Sequence, residues 1–194
     1  MIILVVGVPG VGKTTVINEA KKYLKKDIAI INIGDIMFEL AKERFNINTR
    51  DEIRKKISFQ DQVQLQIEAA NRILEIGKNK DVIVDTHFVI ESFEGYIPGL
   101  FKEFAEIIKP NAIAIIISDP DKIFLRRLKD SNIRARDIEN LERIKIQQEM
   151  TIYYSLILMY EFKCKVEVIE NEEGLIEESS KKLAEFINKN IQSL

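Results

Sequence analysis

Five apolar residues, Ile2–Val6, run without a break into Gly7-Val8-Pro9-Gly10-Val11-Gly12-Lys13-Thr14-Thr15. Branched apolar residues of this kind favour an extended strand. The stretch Lys13–Lys25 then carries Val16, Ile17, Ala20 and Leu24 at helical spacing. A strand, a glycine-rich turn and an amphipathic helix in immediate succession fit the pattern G-x-x-x-x-G-K-[ST], filled by Gly7, Gly12, Lys13 and Thr14 with Gly10 between. Glycines let successive N–H groups curl inward on an anion, the helix adds the positive end of its dipole, and Lys13 adds a full charge. Thr14 can place a hydroxyl on the Mg²⁺ that accompanies a triphosphate. A glycine loop that only joins a strand to a helix is the plainer reading. The strand before and the helix after favour a nucleoside triphosphate site over residues 7–15.

The same rhythm continues along the chain. Apolar runs at 28–33, 81–85, 112–118 and 165–169 are rich in Ile and Val, as strands covered on both faces should be. Helical spacing is predicted for 35–45 with Asp35 as N-cap, for 60–76 up to Gly77, and for 121–129, 138–161 and 175–191. Strands alternating with helices imply a parallel sheet. The expected fold is α/β: a three-layer αβα sandwich of the P-loop NTPase kind, with a five-stranded parallel sheet in one domain over 1–194. Two polar stretches interrupt the rhythm, 46–60 after the second strand and 129–137 after the fourth. Ligands of such sheets bind beyond the carboxyl ends of the strands. These stretches are therefore read as an acceptor-binding insert and a short lid.

A net charge of −2 offers no global basic field for nucleic acid or an anionic membrane, so phosphate must be met by local clusters. With one cysteine, Cys164, the chain can form neither an intrachain disulfide nor a cysteine zinc site, and a buried core thiol is expected. No apolar stretch reaches the length of a membrane span. The immediate start on a strand leaves no room for a signal peptide, so a cytoplasmic protein is expected.

Local clusters are present. Arg126, Arg127, Arg134 and Arg136 are close in sequence. Phosphoryl transfer needs little covalent help but strong electrostatic stabilisation, which arginines on a mobile segment can supply. Val82-Ile83-Val84-Asp85 is an apolar run ending in a carboxylate, so Asp85 could hold Mg²⁺ beside Thr14, directly or through water. A strand-end Asp that caps the next turn is the alternative. His87, the only histidine, could touch substrate or serve as a hydrogen-bonded loop residue; a general base is not required. Arg50 and Arg54 share a face if 46–60 is helical and could clamp a second phosphate. Gly34 and Asp35 would offer backbone N–H groups to the same acceptor. A surface pair balanced by Asp51 and Glu52 remains open for the two arginines.

Gly7–Thr15, Ile33-Gly34-Asp35, Arg50–Lys55, Asp85-Thr86-His87, Gly95-Tyr96-Ile97-Pro98-Gly99-Leu100, Asp119-Pro120, Arg127, Arg134-x-Arg136-Asp137 and Asn171–Gly174 together resemble the archaeal-type adenylate kinases. The resemblance implies reversible transfer of the γ-phosphoryl of MgATP to AMP, giving two ADP. It places Lys13 on the migrating group, Arg54 on the AMP phosphate, and Arg127, Arg134 and Arg136 around the transferred group. Asp85 would organise Mg²⁺ through water, and Asn171–Gly174 would lie near the ATP adenine. A homo-oligomer, commonly a trimer, is implied as well. Two stretches depart from the family. Residues 88–94 carry Glu91 and Glu94 where a basic residue is usual, and a carboxylate there would repel an acceptor phosphate. Residues 150–164 are bulky where relatives are rich in alanine and glycine. Other readings are a kinase for a different nucleoside monophosphate, and an ATPase assembly factor or switch related to these kinases.

Overall fold

A computed structural model describes residues 1–92, 94–130 and 141–192. The expected helix start at 138, and all but the first two positions of the expected lid, fall outside the described residues. Strand β1 (Ile2–Val6) lies at the centre of a five-stranded sheet. Strand β3 (Val82–Thr86) flanks it on one side, with β2 (Ala29–Asn32) beyond. On the other side lie β6 (Ala112–Ile117) and then β7 (Lys165–Glu170). Every pairing in this sheet is parallel. Parallel neighbours need crossovers, and the intervening helices supply them.

Side chains alternate across a strand, and β1 shows the consequence. Leu4 and Val6 enter one core with residues of α2 (Ile33–Phe45), α4 (Phe59–Gly77) and α5 (Lys102–Ile108). Ile3 and Val5 enter the opposite core with α1 (Lys13–Ala20) and α8 (Ile176–Gln192). The expectation of strands covered on both faces holds for β1, β3 and β6. It does not hold at the edges, where β2 is half-buried and β7 largely exposed.

Several boundaries differ from the sequence reading for local reasons. Helix α1 stops at Ala20, continues as a short 3₁₀ turn over Lys21–Tyr23, and ends where Leu24 turns extended. Helix α2 starts at Ile33 with Asn32 as N-cap, so Asp35 sits in the first turn and not at the cap. A carboxylate is still favourable there, beside the positive end of the helix. Helix α4 starts as its sequence dictates, with Ser58 Oγ accepting from the Asp61 amide at 3.1 Å. The polar insert folds as α3 (Asp51–Lys56), anchored by buried Ile53 and Ile57. Strands β4 (Val89–Ser92) and β5 (Gly95–Pro98) pair antiparallel as a hairpin, which the sequence pattern did not reveal. Helices α6 (Pro120–Asp130) and α7 (Leu141–Phe162) lie between β6 and β7 in the chain. Cys164 is buried as expected. Among the described residues no helix is long and apolar enough to cross a membrane.

Candidate active site

Gly7 begins at the end of β1 because nothing larger fits: a Cβ there would sit 2.6 Å from the Ile116 carbonyl oxygen of β6. The loop then turns through Gly10 and Gly12 at φ +80 and +90, in the left-handed region that suits glycine. Side chains from behind hold its alternate carbonyls. The Gly7 oxygen accepts from His87 Nδ1 at 2.5 Å, the Pro9 oxygen from Arg127 Nε at 2.8 Å, and the Val11 oxygen from Asn171 Nδ2 at 2.7 Å and Arg126 Nη1 at 3.0 Å. Fastening the carbonyls this way leaves the amides of the same turn to gather around an anion. Helix α1 follows with no side-chain cap and no acidic residue in its first turn, so its N-terminal amides are also available.

Three strand ends meet at Asp85. It lies in register with Val5 of β1 and Asn32 of β2. Its carboxylate contacts Lys13 Nζ directly, accepts from Asn32 Nδ2 at 3.1 Å and lies 3.4 Å from Thr14 Oγ1. Lys13 and Asp85 are both buried, and each supplies the opposite charge that the other's burial demands. The carboxylate and the Thr14 hydroxyl form a hard oxygen set of the kind Mg²⁺ takes alongside substrate phosphates and water.

His87 sits two residues beyond Asp85. A carbonyl can only accept, so its Nδ1 carries the proton given to Gly7. Burial first, and then the positive charge of Lys13, push the imidazole down to about 3, so it is neutral near pH 7. Among the roles the sequence left open, the geometry displays the hydrogen-bonded loop residue.

Beside the loop opens a cleft of about 580 Å³ between α2 and α3 on one side and the β4–β5 hairpin and α7 on the other. Gly34, Arg54, His87, Asp85, Pro9 and Arg127 all line it. Asp35 does not; it is exposed and ion-paired with Arg50. Arg127 is buried, with Nη2 donating to Gln147 Oε1 at 3.1 Å as well as Nε to the loop. Arg134 and Arg136 lie outside the described residues. Glu91 lines the cleft in contact with Arg143 of α7, while Glu94 is exposed.

Sequence reasoning missed the residues that brace this site. Gln147 is buried and bridges Arg127 to the Val89 carbonyl at 3.0 Å. Gln66, also buried, clamps the chain after β5 by donating to the Gly99 carbonyl at 2.8 Å and accepting from the Phe101 amide at 2.9 Å. Asn171 was expected near a base, and its loop contact was not foreseen. A glutamine on an otherwise apolar stripe was the available signal for Gln66, whereas the buried stripe that holds Gln147 is itself largely polar and gave none.

A parallel sheet whose central strand opens into a phosphate-cradling loop, with a second cleft alongside, defines a P-loop phosphotransferase. The family described as AAA domain matches residues 6–145. An adenylate kinase of Methanopyrus kandleri is 38% identical over 187 residues, 96% of this chain and 97% of the relative. One from Pyrobaculum aerophilum is 43% identical over 155 residues, 80% and 77% of the two chains. A shikimate kinase from Acinetobacter baumannii, solved with shikimate, has a TM-score of 0.57 at 18% identity, covering 99% of this chain and 93% of that one, a likeness of fold alone. The chain belongs to the archaeal adenylate kinases.

Proposed function

We propose that the chain transfers the γ-phosphoryl group of MgATP reversibly to AMP, giving two ADP, with the ATP phosphates on residues 7–15 and AMP in the adjoining cleft. The observation that carries this reading is the cleft itself: it starts at Pro9, Asp85 and Arg127 beside the loop and extends to Arg54 and Gly34. An acceptor lying there has its phosphate directed at the triphosphate.

An oxygen of the AMP phosphate attacks the γ-phosphorus as the bond from that phosphorus to the β–γ bridging oxygen breaks. The attacking oxygen carries no proton to remove, so no general base is needed. ATP gives Lys13 a new anion, and its ammonium moves from Asp85 to the migrating group. Asp85, through water, and Thr14 would hold Mg²⁺, which would supply positive charge against the phosphates. Arg127, fixed to Pro9 and Gln147, sets positive charge beside the transferred group, and Arg134 and Arg136 join it there. Arg54 meets the AMP phosphate, and Gly34 and His87 line the acceptor side. The same reading includes a cytoplasmic enzyme that assembles into a homo-oligomer, a trimer in the form implied by the resemblance.

A steady-state assay offering ATP with each nucleoside monophosphate in turn tests the reading. ADP formation with AMP well ahead of every other acceptor is expected. Preference for another monophosphate would reassign the acceptor, and ATP hydrolysis independent of any acceptor would point to a switch.

A further inference from the structure

Glu91 poses a problem in a cleft that receives a phosphate dianion, and the structure holds the answer on a different element. Arg143, in the first turn of α7, lines the same cleft and its Nε contacts Glu91 Oε1. Its guanidinium lies 5.6 Å from the centre of the Tyr96 ring, within range of a cation–π attraction. Tyr96 in turn donates from Oη to the Arg143 carbonyl at 2.9 Å. Glu91 and Tyr96 are cross-strand partners in the β4–β5 hairpin, so both hold the arginine from one strand pair. Among the described residues Arg143 Nη2 makes one long contact, 3.5 Å, to the Ser92 carbonyl. The side chain is 41% exposed.

A guanidinium carries five N–H donors in a rigid fork. Glu91 faces Nε, and the terminal Nη groups keep donors for an incoming oxyanion. The arginine is also well placed along α7. Residue 147 is four positions further on, on the same face of the helix, and Gln147 donates to Val89 and accepts from Arg127, which binds the loop at Pro9. Arg143 therefore stands about one helical turn, ~5.4 Å, from the buried relay that ends on the phosphate loop.

We propose that Arg143 is an acceptor-phosphate ligand and that Glu91 is its positioning partner: the cleft draws this cation from α7, and the hairpin carboxylate aims it. The inference rests on AMP as acceptor. Glu91 loses its repulsive character because its charge is spent on Arg143. The pairing leaves a bidentate face for the phosphate, the geometry at which arginine excels.

The test must separate a phosphate ligand from a residue that only neutralises Glu91. Binding of AMP and of adenosine is measured by calorimetry on the full chain, in the wild type, Arg143→Ala, Glu91→Gln and the double variant. Arg143→Ala is expected to weaken AMP binding about tenfold or more and adenosine by less than about twofold, as loss of a charge-assisted contact to phosphate requires. The Glu91→Gln background decides the matter, since no carboxylate remains there to neutralise. Removing Arg143 from it should still weaken AMP several-fold. Equal AMP affinity in Glu91→Gln and the double variant overturns the proposal. Equal losses for AMP and adenosine would also overturn it, as the sign of a structural role. Arg143→Lys should retain part of the affinity, and unchanged ATP affinity checks folding in every variant. Wild-type protein that fails to bind AMP would sink the acceptor assignment itself, a result distinct from either of these.

Discussion

Lys13 and Asp85 are a buried pair before they are anything else. Replacing Asp85 by Asn leaves the ammonium buried without its counter-charge, so the nucleotide-free protein should lose about 3–5 kcal/mol, read from urea unfolding. ATP supplies a substitute anion, so saturating nucleotide should narrow the gap to the wild type. An equal gap with and without ATP would mean that Lys13 never transfers to the triphosphate. Lys13→Ala removes the only ammonium at the loop, and turnover should fall by about 10²–10³-fold, the scale of a lost preorganised donor at developing charge. Arg54 lines the cleft and is proposed to meet the acceptor phosphate. Arg54→Ala should raise the AMP KM about tenfold and leave the ATP KM within about twofold. Parallel rises in both constants would remove Arg54 from the acceptor clamp.

At the scale of elements, the sheet was legible because its strands announce themselves. Ile2–Val6, Val82–Thr86 and Ala112–Ile117 are continuous apolar runs, and burial on both faces is the reason. The β4–β5 hairpin gave no such signal. Val89–Ser92 and Gly95–Pro98 are short, half-exposed and shaped by cleft contacts, with Tyr96 reaching α7 and Glu91 reaching Arg143. Periodicity reports cores, and this element serves a cleft. The phosphate loop could be read from its glycines and lysine. The side chains that brace its carbonyls, Arg126, Arg127 and Asn171, come from α6 and the chain after β7 and have no spacing in common with it. Gln66 tests how much such bracing matters. It joins α4 to the segment that leaves the hairpin, and Gln66→Leu strands the Gly99 carbonyl and the Phe101 amide. A loss of about 1–3 kcal/mol in chemical denaturation is expected, with the AMP KM rising because the hairpin wall loosens. Stability within about half a kcal/mol of wild type would show that water replaces the amide without cost.

Helix α7 carries the argument for the whole molecule, because it exposes an apolar stripe on the side opposite its buried face. One face buries Ile144, Gln147, Gln148, Thr151, Ser155 and Leu158 against the sheet. The other leaves Tyr153, Ile157 and Tyr160 exposed at 61%, 59% and 88%, with Met150 and Leu156 beside them. Positions 153, 157 and 160 follow helical spacing, so they form a stripe. A contiguous exposed apolar stripe marks a contact surface, and a second copy of the chain is the occupant that the proposed homo-oligomer supplies. An interface at this face would be built from large interlocking residues, in place of the small ones that the resemblance implies. Burying a large apolar side chain is worth about 1.5–3 kcal/mol, and a carboxylate in its place is costly to bury without a partner. Ile157→Glu with Tyr160→Glu should therefore shift the sedimentation-equilibrium mass toward that of one chain at concentrations where the wild type is assembled. Ile157 and Tyr160 lie about 15 Å or more along the helix from the cleft-lining residues Arg143 and Gln147. Turnover per chain should accordingly stay within about twofold of wild type, as for surface changes remote from a site. A variant that keeps the wild-type mass would release this face from any role in assembly. A dissociated variant that lost activity would instead show that the site depends on the neighbouring copy.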